Sequence, residues 1–301
     1  MKEPWQSHLQ LGVVHNMAFP ECLGGDGPQF ETLQQICYDP FFEAVDVGPM
    51  NDPAARRDSA SLLRDCQMTV MFACQPLILR HNLDLNSADA AERKRAVDMV
   101  ASVFEQAKEL GAGRIALMSG KNAPGRAAAQ ERLVDSLRQL CKAAKERAGL
   151  PLVLEIFDYD MDKKALIGTC AAAAEIAQAV RRDFPDFGLL HDLSHIYLCH
   201  ENPAEHFPLI RSHLTVVHMG SSVSDRKHAL FGDSHPLFGM PGGDTDAAQL
   251  REFIKTLFDI AYLRPGRRPV CGFELKPPAG VAPQTALVNM KRTWQKAWWT
   301  L

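Results

Sequence analysis

Eight short apolar runs alternate with longer, helix-patterned stretches along this 301-residue chain, and that rhythm constrains its fold more than any single motif. The runs fall at 9–15, 44–48, 69–77, 114–118, 152–158, 188–192, 214–219 and 270–275. Helical patterning occupies 30–37, 54–65, 88–110, 127–148, 163–183, 203–212, 246–263 and 283–298. Runs this short and continuously apolar suit strands buried on both faces, the condition of a parallel sheet. Parallel neighbours need a crossover between them, and each helical stretch supplies one. Eight right-handed βα units close most naturally into a (β/α)8 barrel, α/β in class, with residues 1–301 as a single domain. An open doubly wound sheet fits less well. No GxGxxG follows the first run, and Gly24, Gly25 and Gly27 are a lone glycine cluster. No low-complexity linker, charge block or shift in composition marks a second domain.

Composition narrows the function. A hydrophobic content of 46% suffices for one large core. The formal charge of −3 and a pI near 6.4 offer no positive field for a phosphate backbone, which argues against a nucleic-acid partner. The 8 cysteines show no CxxC spacing and read as free thiols in a reducing cytoplasm. The first residues lack the layout of a secretory leader, and no apolar stretch approaches the roughly 20 residues of a membrane span.

Four runs in the second half end in a metal-type donor: Glu155 in PLVLEIFD, Asp192 in FGLLHDLSH, His218 in LTVVHMGSS and Glu274 in PVCGFELKP. Side chains alternate across a strand, so one donor from each of four adjacent parallel strands can converge at the C-terminal mouth of a barrel. Three carboxylates and one imidazole suit a divalent ion, Mn²⁺ first, with Mg²⁺, Co²⁺ and Zn²⁺ as alternatives. By the same alternation His191 points away from that mouth and is structural. The longest irregular segment, 220–244, follows the seventh run and carries Asp225, His228, Asp233 and His235. His235 is the strongest substrate-facing candidate among them. His15, at the end of the first run, either reaches the same face or is packed. There is no GxSxG, P-loop or HExxH, so an α/β-hydrolase, a P-loop nucleotidase and a zincin are unsupported.

The order Glu, Asp, His, Glu on the fifth to eighth strands, with His195 completing Asp-x-x-His after Asp192, resembles the sugar isomerase/epimerase superfamily built on the xylose isomerase-like TIM barrel. Residues 155–168 and 232–239 look like a bacterial subgroup known mainly as sugar phosphate isomerase/epimerase. The resemblance implies one divalent ion held by Glu155, Asp192, His218 and Glu274, with His195 contacting substrate or supporting a ligand. It also implies a small carbohydrate substrate and allows a homo-oligomer, to which Trp294, Trp298 and Trp299 could contribute if they are not packing.

In such a site Glu155 and Glu274 act as the catalytic pair, removing a proton on one side of a hydroxy-carbonyl and returning it from the other through a metal-stabilised enediolate. The expected reaction is isomerisation or epimerisation of a keto-sugar, aldose or cyclitol. The alternative is a lyase, dehydratase or deglycosidase acting on a 3-keto-glycoside by β-elimination. Zinc apurinic endonucleases share the fold but need further metal ligands and a basic DNA face. Three more residues are candidate substrate contacts. Lys276, two residues beyond Glu274, either shares its face or is a solvated lysine. Lys163, beside Lys164 at an expected helix start, is solvated or faces substrate. Asp158 is similarly poised, while Asp160 and Asp162 read as N-terminal helix charges.

Overall fold

The computed structural model describes residues 3–301 and contains a closed barrel of parallel strands. The strands are β1 (Gln10–Val14), β2 (Ala44–Val47), β3 (Thr69–Ala73), β4 (Arg114–Met118), β5 (Leu152–Ile156), β6 (Gly188–Asp192), β7 (Leu214–Gly220) and β8 (Val270–Glu274). They pair in sequence order and β1 closes on β8. Helices cross over between them, so the barrel's outer surface is buried beneath a helical layer. That layer holds most of the core. In the last helix, Pro283–Trp299, Trp294 and Trp298 are buried and stack at 5.4 Å between centroids. Burial of each such ring is worth about 4–6 kcal/mol by area. Trp299, by contrast, is 69% exposed.

Inside the barrel a smaller apolar cluster joins Met71, Ala116, Val153, Leu190 and Val216. Two residues further along β5, β6 and β7 stand Glu155, Asp192 and His218, on the same inward face by alternation. An apolar floor thus carries a polar layer directly above it. The β6–β7 register shifts between Leu189 and Leu190: Leu189 pairs with Leu214 but Leu190 with Val216. This bulge at Thr215 brings Asp192 level with His218. Without the extra residue, Asp192 would sit beside Val217 and the imidazole would fall out of step with its neighbours.

Three expected boundaries are corrected. The third run stops as a strand at Ala73, because Pro76 in the first turn of a helix, Gln75–Arg80, redirects the chain. The expected helix over 88–110 is two, Ala90–Ala101 and Phe104–Glu109. At the break the Ser102 hydroxyl donates to the Met99 carbonyl at 2.7 Å, a local bond that competes with helix continuation. The helix expected from residue 163 begins at Cys170, capped by the Thr169 hydroxyl. Lys163, Lys164, Asp160 and Asp162 therefore lie in a loop rather than at a helix start. All eight cysteines are free. No helix among the described residues is long and apolar enough to cross a membrane.

Candidate active site

Glu155, Asp192, His218 and Glu274 each place one donor atom within 4.8 Å of the others. Glu155, Asp192 and His218 are buried, while the Glu274 side chain is 15% exposed and the most accessible of the four. Asp192 also caps the short helix Leu193–Leu198: its Oδ1 accepts the Ser194 N–H at 2.9 Å and the Gly220 N–H at 2.8 Å. That leaves its Oδ2 buried without a hydrogen-bond partner, and Glu155 Oε1 is in the same condition. Two carboxylate oxygens without a hydrogen-bond partner, beside two further donors, suit a cation. The residues present therefore fit a divalent ion.

The neighbouring groups aim these donors. Asp46, on β2, accepts the His218 Nε2–H at 2.7 Å, which turns Nδ1 toward the cluster, 2.8 Å from Glu274 Oε2. Gln75 donates to Glu155 Oε2 at 2.6 Å and so leaves Oε1 as the free oxygen. Gly220 has to be a glycine: an added Cβ would lie 2.8 and 2.9 Å from the Asp192 oxygens and 2.9 Å from His235 Nδ1. Asp46 and Gln75 were not anticipated from sequence. Asp46 had a readable signal, a lone charge inside an apolar strand. Gln75 had none, because its run reads as strand up to Leu77.

A second network borders the first. Asp233 Oδ1 sits 3.2 Å from His195 Nε2 and 2.9 Å from His235 Nε2, and its Oδ2 is 3.2 Å from the Lys163 ammonium. His195 Nδ1 donates to the Ile156 carbonyl at 2.8 Å and packs on Phe157. His235 Nδ1 lies 3.8 Å from Asp192 Oδ2, so Asp192, His195 and His235 also form a donor group, one that shares Asp192 with the first. The backbone at His235 has φ of 49°, an uncommon conformation fixed in part by the Lys276 N–H, which donates to the His235 carbonyl at 2.7 Å. His195, His235 and Lys163 are thus brought together around Asp233, a residue the sequence flagged only as one of several loop acids.

Two candidate substrate contacts are placed otherwise. Asp158 is fully buried, and its carboxylate accepts the backbone N–H groups of Met161, Asp162 and Lys163 at 2.7–2.8 Å. It organises the loop after β5 and has no free face for a ligand. Lys276 is exposed and does not line the cavity, because β8 ends at Glu274 and strand alternation no longer governs the following turn. His15 is packed, its Nε2 2.7 Å from the Thr32 hydroxyl, and burial pulls it down to about 3.

The electrostatics of the metal-free site follow from crowding. Burial, and then the charge of Glu274, push Glu155 up to about 8. Burial opposes the charge on Glu274 too, but His235 and His218 outweigh it and hold that carboxylate at about 2. Burial likewise works against His195 and His235, yet Asp233 foremost raises them to about 10 and about 9. Above the donors opens a cavity of about 570 Å³, lined deep down by Glu155, His218, Asp233 and Glu274 and at its lip by Leu23 and Leu79. This is a common size for a small-molecule site.

The profile of the Xylose isomerase-like TIM barrel family matches residues 30–288, and the chain belongs to that family. No curated protein matches it significantly by sequence. Solved structures do match in fold. IolI protein with a bound zinc atom is 15% identical, covers 96% of this chain and 98% of its own, and has a TM-score of 0.70. L-ribulose 3-epimerase is 18% identical over 97% and 98%, with a TM-score of 0.67. The 3-keto-D-glucoside 4-epimerase YcjR from E. coli is 14% identical over 95% and 99%, also with a TM-score of 0.67. At such identities the likeness establishes the barrel and leaves the chemistry to this chain's own residues.

Proposed function

We propose that this protein is a divalent-metal-dependent isomerase or epimerase of a small carbohydrate, a keto-sugar, aldose or cyclitol. The observation that carries the reading is the convergence of four donors from β5–β8 with two buried carboxylate oxygens left unpartnered. Glu155, Asp192, His218 and Glu274 would hold the ion; Mn²⁺ is the first choice, with Mg²⁺, Co²⁺ or Zn²⁺ as alternatives. When bound, it would polarise a substrate carbonyl and acidify the adjacent C–H.

The chain supplies the proton chemistry. The site sets its two glutamates far apart in acidity, Glu274 ionised and Glu155 retaining a proton near neutral pH in the metal-free protein. Two carboxyls delivered to one mouth from β5 and β8 suit removal of a proton by one and its return by the other. Lys163, Asp233 and His235 form a polar wall of the cavity suited to sugar hydroxyls, with His195 buried behind it against Asp233. The test is solvent exchange: metal-free protein reconstituted with each ion and incubated in D₂O with ketohexoses and keto-cyclitols. Deuterium should enter the carbon beside the carbonyl in the wild type and not in Glu155→Gln or Glu274→Gln. Full exchange in both variants would sink the assignment.

The cavity lip favours a second reading. Leu23 is 49% exposed and Leu79 45%, and both line the opening. Apolar surface there would suit the aglycone of a 3-keto-glycoside, with the enzyme eliminating that group as a lyase or deglycosidase. Release of the aglycone from aryl 3-keto-glucosides, rather than deuterium exchange alone, would select this alternative.

A further inference from the structure

Behind β6, on the side turned away from the mouth, lies another group of donors. Alternation directs His191 outward, where its ring stacks on Phe207 at 5.2 Å. His191 is fully buried, and neither ring nitrogen has a hydrogen-bond partner. A neutral imidazole presents one N–H and one lone pair, and the interior leaves both unmet. Facing it are the Cys170 thiol, at the start of the helix Cys170–Arg181, and the carboxylate of Glu201. One donor atom from each of Cys170, His191 and Glu201 lies within 4.8 Å of the other two. The Glu201 side chain is only 6% exposed and has no Lys or Arg partner among the described residues. Its company is the Cys170 backbone N–H, at 3.0 and 3.1 Å, and His206 Nε2 at 4.0 Å.

We propose that Cys170, His191 and Glu201 bind a divalent cation of the zinc class in a structural site separate from the barrel mouth. A thiolate, an imidazole and a carboxylate form a mixed S/N/O set, which selects zinc over magnesium or manganese. His206, 32% exposed at the outer edge of the group, is on hand for a fourth position. The ion would give the His191 lone pair a partner. It would also tie three segments together: β6, the helix Cys170–Arg181 and the turn at Glu201. The first of these carries Asp192 on its other face.

The two sites can be told apart by their donors, because the mouth offers oxygen and nitrogen alone. Co²⁺ titrated into the metal-free protein should produce a near-ultraviolet thiolate-to-cobalt charge-transfer band, and in a Glu155→Gln/Glu274→Gln double variant, where the mouth no longer competes for cobalt, that band should saturate at one equivalent. The band should disappear in Cys170→Ser. His191→Gln should weaken Co²⁺ binding at this band at least tenfold. Absence of the band from the wild type overturns the proposal. So does its survival in Cys170→Ser, which would point to other thiols such as the partly exposed Cys37 and Cys66. Should Cys170→Ser fail to fold, unchanged cobalt affinity in His191→Gln overturns it equally.

Discussion

The two halves of the barrel contribute unlike things to the same mouth. β5–β8 bring four donors, two of them with an unpartnered buried oxygen. The first half brings supports: Asp46 on β2 bonds the imidazole, and Gln75 after β3 bonds Glu155. Its remaining strands end in apolar residues, Val14 on β1 and Met118 on β4. One half therefore supplies the converging donors and the other supplies the groups that orient them, even though Asp46 Oδ1 and Gln75 Oε1 are themselves without a partner. The division predicts that variants in the second half abolish function, whereas variants in the first half weaken it.

The largest effect belongs to the glutamates. Glu155→Gln or Glu274→Gln keeps the shape of the site but removes a proton-transfer group and a ligand charge, so turnover should fall by about 10²- to 10⁴-fold or more. Circular dichroism should meanwhile report an intact barrel. Next comes Gly220→Ala, which adds a single methyl within 2.9 Å of Asp192 and His235. It should cost about 1–3 kcal/mol of stability by overpacking and displace the Asp192 carboxylate. Thermal melts and metal titration would check it, and a variant with wild-type metal affinity would show that the glycine is dispensable. Asp46→Asn probes the supporting half. It leaves all four donors in place and should weaken metal binding about 10- to 100-fold. A loss as deep as that of Glu155→Gln would erase the contrast between the halves.

That contrast also explains what was legible in the sequence. Barrel topology follows from periodicity, and donors at strand ends follow from alternation, so Glu155, Asp192, His218 and Glu274 align from the sequence alone. Supporting residues are harder to read because their roles depend on where a strand stops. Gln75 lies hidden in a run that becomes a helix at Pro76. Asp158 looked available for substrate, but a loop folds its backbone N–H groups onto that carboxylate, a feature that periodicity does not encode. Helical patterning puts Lys163 at a helix start, but the helix begins seven residues further on and the loop delivers the Lys163 ammonium to Asp233.

A smaller effect concerns pH and the bordering network. His195 and His235 are raised in the folded metal-free protein to about 10 and about 9, above an ordinary value of about 6.5. A raised histidine stabilises the fold fully below its unfolded pKa and loses that contribution as pH rises through the folded one. Glu155, raised to about 8, has the same sign, its contribution lost between its ordinary value and about 8. The metal-free protein should therefore melt at progressively lower temperature from about pH 6.5 to 10. Asp233→Asn should flatten the alkaline part of that slope, since it removes the charge that holds both imidazoles protonated. An identical slope in the variant would show that Asp233 does not set the network.

The smallest effect is expected at Lys276, where two properties of one residue separate. Its ammonium is exposed and outside the cavity lining, while its backbone N–H donates to the His235 carbonyl at 2.7 Å. Lys276→Ala removes the charge and retains the N–H, so turnover should stay within about twofold of the wild type, as surface substitutions generally leave a fold intact. Lys276→Pro removes that N–H as well and frees the His235 carbonyl. Because His235 occupies a left-handed conformation, its ring should then lose its position beside Asp192 and Asp233. Activity should drop well below that of the alanine variant. If alanine instead costs as much as proline, the ammonium reaches the substrate in solution and the turn after β8 delivers a further functional side chain to the mouth.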